Sequence, residues 1–83
     1  MSERIVGVLG GMGPEATVAL LKRIIDFTPA RSDQEHIRVL IDNNPKIPDR
    51  TAAILAEGED PLPMMIAGAR GLKCAGADFI VIP

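Results

Sequence analysis

Three short apolar runs, at residues 4–9, 37–41 and 78–82, are separated by stretches of helical periodicity too long to be hairpins. No other feature constrains the fold as much. Strands joined by helical crossovers form a parallel sheet, with right-handed connections and helices on its faces. The first run, Arg4-Ile5-Val6-Gly7-Val8-Leu9, is apolar at nearly every position, as a strand covered on both faces must be. Gly10-Gly11-Met12-Gly13 closes it. Pro14 follows where a first helical turn tolerates a missing N–H, and Glu15 places a negative charge where the helix dipole favours one. Leu20, Leu21, Ile24, Ile25 and Phe27 recur at steps of three and four, with Lys22, Arg23 and Asp26 on the other side. This pattern predicts an amphipathic helix ending near Thr28, with Pro29 as its stop.

A polar connection over 30–35 leads to the second strand, which ends in Asp42-Asn43-Asn44-Pro45. Ile47-Pro48-Asp49-Arg50-Thr51 then opens a short helix over 52–56, with Gly58 beyond it. Asp60 and Pro61 read as an N-cap and a first-turn proline. Leu62, Ile66, Ala69 and Leu72 define one face of a longer helix, and Gly76 its left-handed cap. Gly68 and Gly71 inside that helix each cost up to ~1 kcal/mol against Ala, a cost that close packing against a sheet would offset. The fold class is therefore α/β: a three-layer parallel sheet with helices on both faces, in the order β-α-β-α-α-β. Open doubly wound folds usually carry five or more strands, so residues 1–83 read as the N-terminal part of a larger protein.

Composition narrows the partners. Nine Lys and Arg against eleven Asp and Glu leave a net charge of −2, which removes the electrostatic reason to expect nucleic acid or an anionic membrane. Two Phe, with no Tyr or Trp, leave little surface for stacking on bases. A single cysteine cannot form an internal disulfide. No apolar run approaches the ~20 residues of a membrane span, and Met1-Ser2-Glu3-Arg4 lacks a signal-peptide core, so a cytoplasmic protein is expected.

Two segments carry chemistry. In the first, Gly11, Gly13 and Ala16 formally match the dinucleotide fingerprint G-x-G-x-x-A, so a nucleotide-binding βαβ module is the alternative reading. Against it, Pro14 deletes a donor that a pyrophosphate would need, and Glu15 sets a like charge beside it. A smaller anion such as a carboxylate fits better, held by the glycine-loop amides and the Thr17 hydroxyl, unless the glycines simply make a tight βα turn. In the second, Asn43, Asn44, Asp49 and Arg50 cluster after the second strand among Pro45 and Pro48. Arg50 could clamp a carboxylate in a bidentate fork or be a solvated arginine. Asp49 could cap the short helix or receive an amino group.

Other side chains offer less. Cys74, among Leu72, Ala75 and Gly76, reads as a small packed hydrophobe, and Met64-Met65 as core. His36 stands alone without a second ligand at metal spacing and reads as solvated. No metal or cofactor is implied.

Gly10-Gly11-Met12-Gly13-Pro14-Glu15-Ala16-Thr17 resembles the opening motif of the aspartate/glutamate racemase family. Asn43-Asn44-Pro45 and Ile47-Pro48-Asp49-Arg50-Thr51 resemble its second-strand loop, and residues 74–83 its approach to the first catalytic cysteine. The resemblance implies a cofactor-independent amino-acid racemase (an isomerase of amino-acid metabolism). It further implies two similar α/β domains, a homodimer when full length, and one cysteine from each domain working at the substrate α-carbon. Met12, Gly13, Pro48, Asp49 and Arg50 would hold the substrate carboxylates or amino group, with Thr17 and Asn44 beside them. The first catalytic cysteine would follow Pro83, so on this reading residues 1–83 form the N-terminal part of the first domain and are inactive alone.

Overall fold

The computed structural model describes residues 3–83. Met1 and Ser2, part of the N-terminal stretch read for a leader sequence, lie outside the described residues. The elements run β1 (Val6–Gly10), α1 (Pro14–Phe27), a single 3-10 turn (Asp33–Glu35), β2 (Val39–Asn43), α2 (Arg50–Ile54), α3 (Leu62–Cys74) and β3 (Phe79–Val81). The strands form a parallel sheet in the order β2-β1-β3, so the strand that is buried at every position lies at its centre. Val6 pairs with Val39 on one side and Phe79 on the other, and Gly10 stands level with Asn43. β1 and β2 are displaced toward the C-terminus from their predicted spans, whereas β3 lies within its own. β2 in particular runs two residues further, because Asp42 and Asn43 complete the ladder with Leu9 and Gly10. Ladder pairing is a backbone matter that side-chain polarity does not report.

Successive residues of a strand face opposite sides of the sheet, and β1 uses both. A Cβ at Gly68 of α3 would stand 2.6 Å from Leu9 Cδ1, which places α3 on the Leu9 side. A Cβ at Gly10 would instead meet Thr17 of α1, which places α1 on the other. The α/β arrangement with helices on both faces thus follows from two adjacent residues. The core on the α3 side is Leu9, Ile47, Leu72 and Ala77, with Met12, Leu40, Met65 and Ile80 packed against it.

The ends of α1 and α3 agree with their sequence signals, whereas the short helix expected over 52–56 starts two residues earlier, at Arg50, because Asp49 caps it, and ends at Ile54. Pro14 opens α1, and Thr28 is its C-cap. α3 ends in a Schellman motif: Gly76, at φ 114°, donates to Lys73 O, and Ala77 donates to Leu72 O. Asp60 Oδ1 accepts the Leu62 N–H at 3.0 Å, as expected of a cap, although the helix is bounded one residue later at Pro61.

Several expectations about packing need correction. The inward face of α3 is Met65, Gly68 and Leu72 rather than Leu62, Ile66, Ala69 and Leu72, and Leu62 and Ile66 are exposed. Gly68 is indeed pressed against the sheet, whereas Gly71 faces open space. Met65 belongs to the core but Met64 is exposed, and Cys74, expected to be packed, is exposed as well. On α1, Val18, Ile25 and Phe27 are exposed, and Thr17 is its only buried residue. The radius of gyration, 14.4 Å, exceeds the roughly 12 Å typical of a compact domain of this length, in keeping with so many apolar side chains at the surface. Among the described residues, no helix is long and apolar enough to cross a membrane.

Candidate functional site

Parallel α/β sheets bind ligands outside the carboxyl ends of their strands. Here the ends of β1 and β2 lie side by side, Gly10 opposite Asn43, so the loops that follow them rise together. Between them is a recess of about 560 Å³, lined by Gly11, Met12 and Gly13 from the first loop and by Pro45, Ile47, Pro48, Asp49, Arg50 and Thr51 from the second.

The first loop is shaped by its glycines. Gly11 has φ 100° and Gly13 φ 92°, a region that L side chains rarely adopt. At Gly11 a Cβ would also collide with the backbone of Asn44, so the two loops are in contact there. The Gly11 N–H donates to Thr17 Oγ1 at 3.2 Å, and Asn44 N–H donates to Gly10 O at 3.0 Å.

The second loop is shaped by side chains. Asn44 Oδ1 accepts the Lys46 N–H at 2.9 Å in an Asx turn, which reverses the chain after β2. Ile47 is buried in the α3-side core and anchors the loop from below. Asp49 caps α2, its Oδ1 accepting the Thr51 N–H at 2.8 Å. Arg50 is exposed and takes part in no ion pair among the described residues, the one salt bridge there being Lys22–Asp26. Among the described residues that line the recess, Arg50 is the one cationic residue, and it also borders a second, more apolar recess with Ala53, Ile54, Asp60, Pro61, Leu62 and Met65.

Of the residues singled out from sequence, Met12, Gly13, Pro48, Asp49 and Arg50 come together on the recess. Thr17 and Asn44 do not line it. Thr17 is buried beneath the first loop with its hydroxyl engaged by Gly11, and Asn44 braces both loops through its backbone and its turn. Pro45, Ile47 and Thr51 complete the lining without having been singled out. For Ile47 a signal existed, an isolated apolar residue inside a polar, proline-rich loop, where burial is the usual reason for its presence.

Cys74 is remote from the recess. It ends α3, and shortly afterwards Asp78 N–H donates to Ile5 O while Asp78 Oδ2 accepts the Ile5 N–H at 2.6 Å. These contacts put Cys74 at the amino edge of the sheet, opposite the loops. His36, expected to be solvated, is half-buried, and its Nδ1 is shielded without a hydrogen-bond partner. Among the described residues, no group of three or more His, Cys, Asp and Glu could hold a metal ion.

Comparison with known proteins bears on this arrangement. The sequence model of the family described as Asp/Glu/Hydantoin racemase matches residues 9–83, a span that includes both loops. Among solved structures, the chain is similar to the aspartate racemase of Picrophilus torridus, with a TM-score of 0.88 and 39% sequence identity. The match covers 95% of this chain and 34% of that one, so the chain spans about a third of its neighbour's length.

Proposed function

Because the chain belongs to the Asp/Glu/Hydantoin racemase family, we propose that its β1–α1 and β2–α2 loops hold the carboxylates of an amino-acid substrate during cofactor-independent racemisation. The observation that carries this reading is the recess itself. It brings Arg50, which takes part in no ion pair among the described residues, to the same recess as a glycine loop, at the carboxyl ends of adjacent parallel strands. Arginine presents a planar fork of donors that matches a carboxylate, and backbone amides add fixed dipoles. Aspartate or glutamate, with a second carboxylate, suits this pairing of two anion-binding elements.

The chemistry asks for such donors. Removing the proton from the α-carbon leaves a carbanion whose charge spreads into the adjacent carboxylate, so donors fixed at that carboxylate stabilise the transition state. In the two-cysteine scheme, a thiolate on one face takes the α-proton and becomes a thiol. A thiol on the other face gives its proton to the carbanion and becomes a thiolate, so the reverse reaction begins with the roles exchanged. Each acting thiolate needs a pKa drawn down toward neutrality. Cys74 fills neither role, being the chain's single cysteine and lying across the sheet from the recess. We assign residues 1–83 to the first of two similar domains of a cytoplasmic, homodimeric enzyme, and expect this chain alone to bind substrate without turning it over.

The nucleotide reading is disfavoured. Of the donors that a pyrophosphate would use, the Gly11 N–H is engaged by Thr17 and Pro14 has none, while Glu15 adds negative charge. Titrating the purified chain with D- or L-aspartate and with NAD decides between them. Loop resonances that respond to aspartate support the proposal. A saturable response to NAD alone, or racemisation of L-aspartate by the 83-residue chain, would overturn it.

A further inference from the structure

The Thr17 side chain is only 4% exposed, held under the first loop on the α1 side of the sheet. Its Oγ1 takes the Gly11 N–H, while Asn44 closes on the same point from β2 through its bond to Gly10 O. The loop is thus gripped at Gly10 and Gly11 from two directions. Met12 and Gly13, further along, line the recess, and no hydrogen bond among the described residues engages either N–H. A donor already held inside the protein has little to offer a ligand anion, whereas an unengaged donor gains a charge-assisted bond.

We infer that Thr17 is a positioning residue that divides the loop's donors, keeping the Gly11 N–H for the protein and leaving those of Met12 and Gly13 for a ligand carboxylate. This rests on the recess being a carboxylate site and goes beyond it by naming the amides that bind. It also reassigns Thr17 from ligand contact to loop support. Thr17 acts through the conformation of Gly11, whose left-handed backbone directs the chain into Met12 and Gly13.

The test uses the 15N-labelled 83-residue chain with succinate as the probe. Without ligand, the Gly11 amide should be protected from exchange in the parent and in Thr17→Ser, and unprotected in Thr17→Val, which keeps the shape but loses the acceptor. On titration, the Met12 and Gly13 amides should shift with saturation and Gly11 should move less than either. Thr17→Val should bind succinate roughly threefold to tenfold more weakly, the size of one net hydrogen bond, and Thr17→Ser should restore the affinity. A freely exchanging Gly11 amide in the parent overturns the inference, as does a Gly11 shift larger than those of Met12 and Gly13, or parental affinity in Thr17→Val. Should Thr17→Val fail to fold, the parent and Thr17→Ser still decide the role through Gly11 exchange. No succinate binding at all would instead overturn the carboxylate reading, and with it the assignment of Met12 and Gly13, while Gly11 exchange would still report on Thr17.

Discussion

The two loops that wall the recess leave adjacent strands at the same level, yet they are built by different means. The first is fixed through its backbone: two glycines in a left-handed conformation, one buried hydroxyl, and a close approach to Asn44. It contributes no charge to the recess wall and offers unengaged amides. The second is fixed through side chains, with the Asn44 turn, the Ile47 anchor and the Asp49 cap, and it carries Arg50, the one cationic residue among the described residues that line the recess. Shape is therefore concentrated in one loop and charge in the other. Substitutions in the first should act mainly on stability, and substitutions at Arg50 mainly on binding.

Gly11→Ala should have the largest effect. It combines a disfavoured φ, costing ~1–2 kcal/mol, with a Cβ driven into the Asn44 backbone, which cannot withdraw without disturbing β2. The expected loss is about 3 kcal/mol or more, measurable as a large fall in denaturation midpoint. Gly13→Ala, which shares the unusual φ but meets only Ala16 Cβ at 3.9 Å, should cost roughly 1–2 kcal/mol. Equal losses at the two sites would break the comparison, because the contact between the loops would then contribute nothing.

Arg50→Ala should do the opposite. The residue is exposed and unpaired among the described residues, so Tm should stay within about 4 °C of the parent. Affinity for succinate or aspartate should fall about tenfold or more, with Arg50→Lys intermediate because a point charge cannot reproduce the fork. A calorimetric titration alongside a melting curve separates the two readouts. A destabilised Arg50→Ala with unchanged affinity would reverse the roles assigned to the loops.

The contrast between the loops also explains what was legible in the sequence. Strand and helix alternation, the Pro14 start, the Gly76 cap and the cluster around Arg50 are local signals, written in periodicity and turn chemistry. Thr17 is different. Inside a helical pattern a threonine next to a glycine loop reads as a ligand group, and only the position of Gly11 above it shows the hydroxyl turned to the protein instead. The inward face of α3 was hidden for a related reason. Apolar periodicity favoured Leu62 and Ile66, but α3 approaches Leu9 through Gly68, a residue with no side chain to count. Close approach is a property of two partners, and one segment's pattern records only its own half.

The smallest predicted effect addresses the residue whose role the sequence left open. Asp49 Oδ1 accepts the Thr51 N–H at the start of α2, and such a cap contributes about 1 kcal/mol to the helix it starts. α2 is five residues long and leaves Ile54 84% exposed, so little packing holds it once the cap is gone. Asp49→Ala should therefore fray α2 locally, seen as faster exchange at the Ala53 amide that donates to Asp49 O, with a modest change in global stability. Asp49→Ser should keep the cap, since a hydroxyl accepts the same bond. Aspartate binding then separates capping from ligand contact. If Asp49 acts only by placing Arg50, Asp49→Ser should bind aspartate nearly as well as the parent. If its carboxylate also receives the substrate's ammonium group, Asp49→Ser should weaken aspartate while leaving succinate, which has no amino group, unaffected.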